Sequence, residues 1–246
     1  MIIFRLLDLV KFSFKNIFQN SRWGDDIKKL MEDPLWGYAR GYNMLLWIGV
    51  VLSLMISAIV LINRGRRKDI IISQKWIYRG FGFFLICFGI TVIFYLFAYN
   101  IEPYFDLLKE CGYTFSIIAP ILLILTIEKY MMTKTRRFFS IFSIGLAIFC
   151  IIYIFLSTES STLRTITQSG APVLMLIFVL LYIKVILLSI GKIRQKAIIT
   201  FIGLLCIGIA IILDSEAVML TGIPLFIAPI VYMIGAILVG IYQKMD

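Results

Sequence analysis

The sequence predicts an all-α, polytopic membrane protein: a bundle of seven transmembrane helices preceded by an amphipathic helix. Three observations carry this. Hydrophobic residues make up 61% of the 246 and charged residues only 15%, with a mean hydropathy of +0.98; a soluble domain is about half apolar and a quarter charged. Apolar runs close to the roughly 20 residues of one helical crossing recur along the chain. The charges gather in the short segments between those runs. Residues 1–41 form one polar and amphipathic segment, and residues 42–246 form the membrane domain.

Residues 1–18, MIIFRLLDLVKFSFKNIF, place Arg5, Asp8, Lys11 and Lys15 along one stripe, opposite Ile3, Leu6, Leu7, Val10, Phe14, Ile17 and Phe18. That is a helical period of about 3.6. Four charges make the segment a costly crossing, so it is expected to lie on the membrane surface. A short helix and a turn at Pro34 follow, and Trp36, Tyr38, Tyr42 and Trp47 suit an aromatic belt at the interface.

Seven spans then follow, at about 42–63, 80–101, 113–132, 138–157, 171–190, 197–213 and 218–242. Their connections alternate in charge. The first holds Arg64, Arg66, Arg67 and Lys68 with Lys75 and Arg79; the third holds Lys134, Arg136 and Arg137; the fifth holds Lys192, Arg194 and Lys196. The others hold Glu102, Asp106, Glu110, Glu159, Asp214 and Glu216, with Lys109 and Arg164 as their bases. Lysine and arginine mark cytoplasmic loops. The expected location is therefore the cell membrane, multi-pass, with the N-terminus outside and the C-terminus cytoplasmic. Seven bases in the first 41 residues pull the other way, and the larger excess in the three basic connections outweighs them.

The net charge of +10 is spread over membrane exits. It implies orientation and attraction to anionic lipid headgroups, and no nucleic-acid partner, because no basic domain exists to hold one. Histidine is absent, which removes His-based triads, HExxH zinc sites and histidine proton shuttles. A P-loop and a G-x-S-x-G elbow are also absent. Cys87, Cys150 and Cys206 lie in apolar runs, Cys111 is expected in a loop, and no CxxC pair occurs. Neither an enzyme nor a cofactor or metal site is expected. A retinal protein is excluded because its Schiff base needs a lysine in the middle of the seventh span, and residues 218–242 contain none.

The candidate switch residues lie at two places. Glu128-Lys129-Tyr130 ends the third span, and Pro229 with Tyr232 lies in the seventh. Lys184, inside the fifth span, is an ionisable group at membrane depth and so a functional candidate. If the third and fifth helices pack together, a Glu128–Lys184 ion pair would bridge them; the simpler reading makes Glu128 a hydrated exit marker beside Lys129. The triplet resembles the acidic-basic-tyrosine motif of rhodopsin-like G-protein-coupled receptors, and Pro229-x-x-Tyr232 resembles the end of their seventh-helix motif. That resemblance implies a bistable clasp and a proline-hinged helix. It departs from the family at Ala228, where a polar Asn is the pattern, and in a sixth span without Trp or Pro. The junction of the third and fourth spans also resembles uncharacterised archaeal-type seven-span membrane proteins.

Three classes of function are compatible with these readings: a receptor-like sensor acting through a protein partner, an assembly subunit of a membrane complex, and a carrier or permease for a small or lipophilic solute. The first two are favoured, because the spans lack central carboxylates. Ala236 and Gly240 supply a small-xxx-small spacing for an assembly contact. Four prolines, Pro120, Pro172, Pro224 and Pro229, could kink their helices.

Overall fold

The computed structural model describes residues 42–101, 104–130, 132, 135, 137–156, 160–214, 224 and 226–241. The expected surface helix over residues 1–18 lies outside them, as do Lys134 and Arg136. Seven helices are present among the described residues: α1 (Tyr42–Arg64), α2 (Ile72–Asn100), α3 (Phe105–Tyr130), α4 (Phe138–Leu156), α5 (Ser160–Leu188), α6 (Gly191–Leu213) and α7 (Ile227–Ile241). No strand occurs among the described residues.

Four of the helices are long and apolar enough to cross a membrane, over Asn43–Arg64, Ile72–Ala98, Leu107–Tyr130 and Gly191–Leu213. Shorter apolar stretches cover Phe138–Tyr153, Val173–Leu188 and Ile227–Gly240. The outward faces are rich in large apolar side chains, such as Leu45, Leu52, Ile56 and Ile59 on α1, each more than half exposed. Water would penalise such a surface and hydrocarbon would not.

Helix boundaries differ from the hydropathy runs because a helix continues wherever its backbone bonds can, whether or not its side chains are apolar. α2 begins with the polar turn Ile72-Ser73-Gln74-Lys75, and α3 begins at Phe105. Cys111 is therefore helical and not in a loop; it is a free thiol, like Cys87, Cys150 and Cys206. The basic connections are similarly part helix: Lys75 and Arg79 belong to α2, and Lys192, Arg194 and Lys196 to α6. α7 is shorter than its apolar run, so Pro229 falls in its first turn. A proline there gives up a backbone N–H that had no helical partner, so it starts the helix and does not hinge it. Pro120 is interior to α3.

The packing makes a ring. α1, α2, α3, α5, α6 and α7 each pack on the next, and α7 returns to α1; α4 lies outside this ring against α3 and α5. An aromatic column fills the ring. Trp47 meets Tyr232 edge to face at 6.2 Å, and Tyr232 meets Phe88 at 6.4 Å. The column continues through Phe84 and Phe178 to Tyr182, which stacks on Phe201 at 6.0 Å. Trp47 is only 1% exposed, so it anchors this core and is not part of an interfacial belt. Its ring is large enough to fill the space beside Tyr232, and that burial outweighs the interfacial preference of indole.

Close backbone approaches tighten three joints. A Cβ on Gly203 of α6 would lie 2.9 Å from the Gly235 carbonyl oxygen of α7, and one on Gly235 would lie 2.6 Å from that of Gly203. Gly240 sits directly against Ser57 of α1, and Ala236 is fully buried. The small-xxx-small stripe is thus consumed inside the bundle rather than offered to another chain. α2 and α3 meet through Thr91, whose hydroxyl is 3.0 Å from the Cys87 carbonyl and 3.2 Å from that of Gly112. α4 turns Ser140, Ser143, Ala147 and Cys150, all buried at helical spacing, toward α3 and α5, where Ile117, Ile121 and Leu174 complete a second apolar cluster.

Candidate functional site

Successive helices reverse direction, so the ends of α1, α3 and α5 and the starts of α2, α4 and α6 share one end of the bundle. The described bases of the three basic connections gather there. The junction of α3 and α4 is built around Glu128. α3 closes with a bond from the Met132 N–H to the Ile127 carbonyl at 3.1 Å, a 6→1 closure of the kind that ends many helices. The chain then turns back, and α4 begins with the Arg137 carbonyl accepting from the Ile141 N–H at 3.0 Å. Arg137 is therefore the residue that should cap α4, but arginine carries no acceptor to do so.

Glu128 does it instead, from the neighbouring helix. Its Oε1 accepts from the Phe139 N–H at 3.2 Å, and its Oε2 accepts from the Ser140 N–H at 2.6 Å and the Ser140 hydroxyl at 2.5 Å. Thr135 Oγ1 lies 2.5 Å from Oε1 and 2.8 Å from the Met132 carbonyl. A hydroxyl has one proton, and the shorter, charge-assisted contact takes it. The side chain is 1% exposed. Four donors around a buried carboxylate, two of them the free N–H groups of a helix's first turn, satisfy the negative charge and the positive end of the helix together.

This corrects both sequence readings of the residue. Glu128 is not a hydrated exit marker, and it makes no ion pair with Lys184, which is exposed on α5. The α4 N-terminus reaches the carboxylate first, and α5 turns Lys184 outward, where its amine can snorkel toward the membrane surface. Spacing along one chain cannot reveal a cap that comes from a different helix. The signal that could have found it is local: Thr135 and Ser140 flank a helix start that lacks a capping residue of its own.

Lys129 and Tyr130 build the adjoining surface. Tyr130 stacks on Trp76 of α2, with centroids 5.9 Å apart and planes at 8°. The Lys129 ammonium lies 5.1 Å from the Tyr130 ring and 5.9 Å from that of Trp76, and the Arg79 guanidinium lies 5.2 Å from Trp76. Cations over exposed aromatic faces are weakly attractive, about 0.5–1 kcal/mol each. Pro229 and Tyr232 are elsewhere. Both are buried in the first half of α7, where Tyr232 packs on Trp47 and Phe88 toward the opposite end of the bundle. The structure therefore does not join the two motifs that carry the receptor resemblance.

One feature at the basic end had no counterpart in the sequence reading. A cavity of about 450 Å³ opens between α1, α2, α3, α5 and α6. Arg64, Lys192 and Lys196 line it, together with Tyr182 of the aromatic column and Phe81, whose ring meets that of Tyr182 edge to face at 5.8 Å. None of the described residues that line it is acidic. Arg66, Arg67 and Lys68 are exposed and lie outside its lining, as does Arg194. Among the described residues no group of His, Cys, Asp and Glu is placed to hold a metal ion. No family model, curated protein or solved structure matches this chain.

Proposed function

We propose that this chain is a seven-span, multi-pass protein of the cell membrane, with its basic end in the cytoplasm, that works without catalysis as a receptor-like sensor and passes its state to a protein partner. The observation that carries the reading is the ring with a packed aromatic interior and a cavity at its basic end. A carrier must open alternately to both sides, and here the column from Trp47 to Tyr182 would have to part first. An assembly role loses the small-residue stripe of α7, which α1 and α6 already occupy. The cavity, in contrast, adjoins the sparsest joint of the ring, between α5 and α6.

In the seven-span arrangement the basic ends face the cytoplasm by their lysine and arginine content. α7, with 15 residues, is about 22 Å long at 1.5 Å per residue. It is shorter than the roughly 30 Å hydrocarbon layer, and local thinning of the bilayer accommodates it.

Spin labels at Lys68→Cys and Arg194→Cys, in a background without native cysteines, report the distance across the basic end. The expected result in nanodiscs is two distance populations whose ratio changes with bilayer thickness or anionic lipid content, while proteoliposomes pass solutes no faster than empty vesicles. A single population in every bilayer refutes the sensor reading. Solute flux above background replaces it with the carrier.

A further inference from the structure

The ordinary account of the cytoplasmic-end bases is orientation in the membrane, and Arg66, Arg67 and Lys68 need no other. Arg64, Lys192 and Lys196 differ in position. They converge on one half-open space of about 450 Å³, and none of the described residues that line it is acidic. That volume falls within the usual range for small-molecule sites, about 300–1,000 Å³.

The electrostatics of the space run further in the same direction. α2 and α6 both begin at its wall, with Ser73 and Gln74 in the first turn of one and Lys192 in the first turn of the other. The residues before them, Ile71 and Ile190, provide no side-chain cap. Helix starts carry partial positive charge, and lysine beside one is unfavourable unless an anion is close by. Gly191 makes the turn into α6 with φ +59°, a conformation that a residue with a Cβ adopts only under strain. The tight turn keeps Lys192 at the cavity wall.

The rest of the lining is apolar and open to one side. Phe81, Tyr182 and Val185 are buried, whereas Leu188 at the end of α5 and Ile193 at the start of α6 line the cavity and are also 66% and 56% exposed. The cavity therefore combines a cluster of cations with an apolar, exposed edge at Leu188 and Ile193. A soluble anion would use the first and leave the second unfilled. An amphiphile uses both.

We propose that this cavity binds the phosphate-bearing headgroup of an anionic membrane lipid, with the phosphate held by Arg64, Lys192 and Lys196 and the acyl chains leaving between Leu188 and Ile193. The proposal rests on the sensor reading and names its ligand. Headgroup occupancy would tie α1 to α6 while the acyl chains pass between Leu188 of α5 and Ile193 of α6, at the loosest joint of the ring, which is how it would bias one arrangement of that joint over another.

The test uses the full chain, purified in uncharged detergent and stripped of lipid. Binding of short-chain phosphatidylglycerol, short-chain phosphatidylcholine and inorganic phosphate is measured by native mass spectrometry and by tryptophan fluorescence. The expected result is one saturable phosphatidylglycerol site per chain. It should bind phosphatidylcholine and free phosphate at least tenfold more weakly, lose at least tenfold in affinity in the Lys192→Gln, Lys196→Gln variant, and change less than twofold in the Arg66→Gln, Arg67→Gln variant. Both variants alter exposed or half-exposed side chains, and circular dichroism confirms their helix content before binding is measured. A third variant, Leu188→Trp, crowds the apolar edge without touching the charges; it should weaken the lipid and spare phosphate.

Equal losses in the two charge variants overturn the proposal in favour of general surface attraction, and equal binding of phosphatidylcholine overturns the role of the headgroup charge. Inorganic phosphate binding as tightly as the lipid assigns the site to a soluble anion instead. Distance populations that still respond to bilayer thickness alongside any of these results leave the sensor reading intact and remove only its ligand. Selective lipid binding with a single, fixed distance does the reverse.

Discussion

Replacing Glu128 by alanine tests the junction of α3 and α4 directly. The carboxylate receives the Phe139 and Ser140 N–H groups and the Thr135 and Ser140 hydroxyls, and its side chain is 1% exposed. The hydroxyls have somewhere else to turn: Thr135 already lies 2.8 Å from the Met132 carbonyl. The two backbone donors do not. Each orphaned donor costs about 1–2 kcal/mol, at the lower part of the range for buried groups and near the usual penalty for a lost helix cap. The expected loss is therefore about 2–4 kcal/mol of unfolding free energy for Glu128→Ala. Glu128→Gln should lose about half as much, because its amide keeps one acceptor and points a donor at the other pair. An exposed ion pair would contribute no more than about 1 kcal/mol.

The assay is reversible unfolding in mixed micelles, together with hydrogen exchange of the Phe139 and Ser140 amides, which should speed up in both variants. Adding Lys184→Met should recover nothing, with the two effects additive to within about 0.5 kcal/mol, as for side chains without a shared partner. A loss under 1 kcal/mol with unchanged exchange at Phe139 and Ser140 would refute the cap. Recovery in the double variant would restore the Glu128–Lys184 pair.

Four further expectations concern other parts of the chain. Gly203→Ala and Gly235→Ala should each cost about 1–3 kcal/mol by overpacking the α6–α7 contact, where the added Cβ would meet backbone within 3 Å; Gly145→Ala, with no neighbour within 4 Å, should stabilise by about 0.5–1 kcal/mol in the same unfolding assay. Arg137 holds φ at +65°, so Arg137→Gly should raise stability by about 1 kcal/mol through relief of left-handed strain. Single cysteines at position 66, 136 or 194 should resist an impermeant thiol reagent in right-side-out vesicles, whereas those at 106, 160 or 215 should react; the opposite pattern inverts the proposed orientation. A peptide of residues 1–18 should gain helical circular dichroism with anionic vesicles, and a coil spectrum there would remove its assignment to the membrane surface.

The basic end was legible before any coordinates because each cation lies within a few residues of the apolar run it flanks. Trp47 shows where such reasoning stops. Its place near the start of a span suits an interfacial belt, and only the approach of Tyr232, 185 residues away by number, turns it into a core residue. Ala236 and Gly240 make the same point in reverse: their spacing marks a close helix contact correctly, but not that the partner is α1 of the same chain. The cavity was invisible for a related reason. Its cations come from α1 and α6, and the sequence places them in two separate connections.

The sequence by itself determined that the chain is helical and holds helices fit for a membrane, and that its cations collect at alternate helix ends. These properties are sums over neighbouring residues: transfer of about 20 side chains from water, and a charge cost at each exit. Tertiary structure alone decided the partners of individual groups. Glu128 could have faced water, Lys184 or a helix start; the turn after α3 brings two unbonded N–H groups to within 3.2 Å of its oxygens. Pairing of that kind depends on the path of the chain between the groups, and a buried charge takes whichever complement the fold delivers to it.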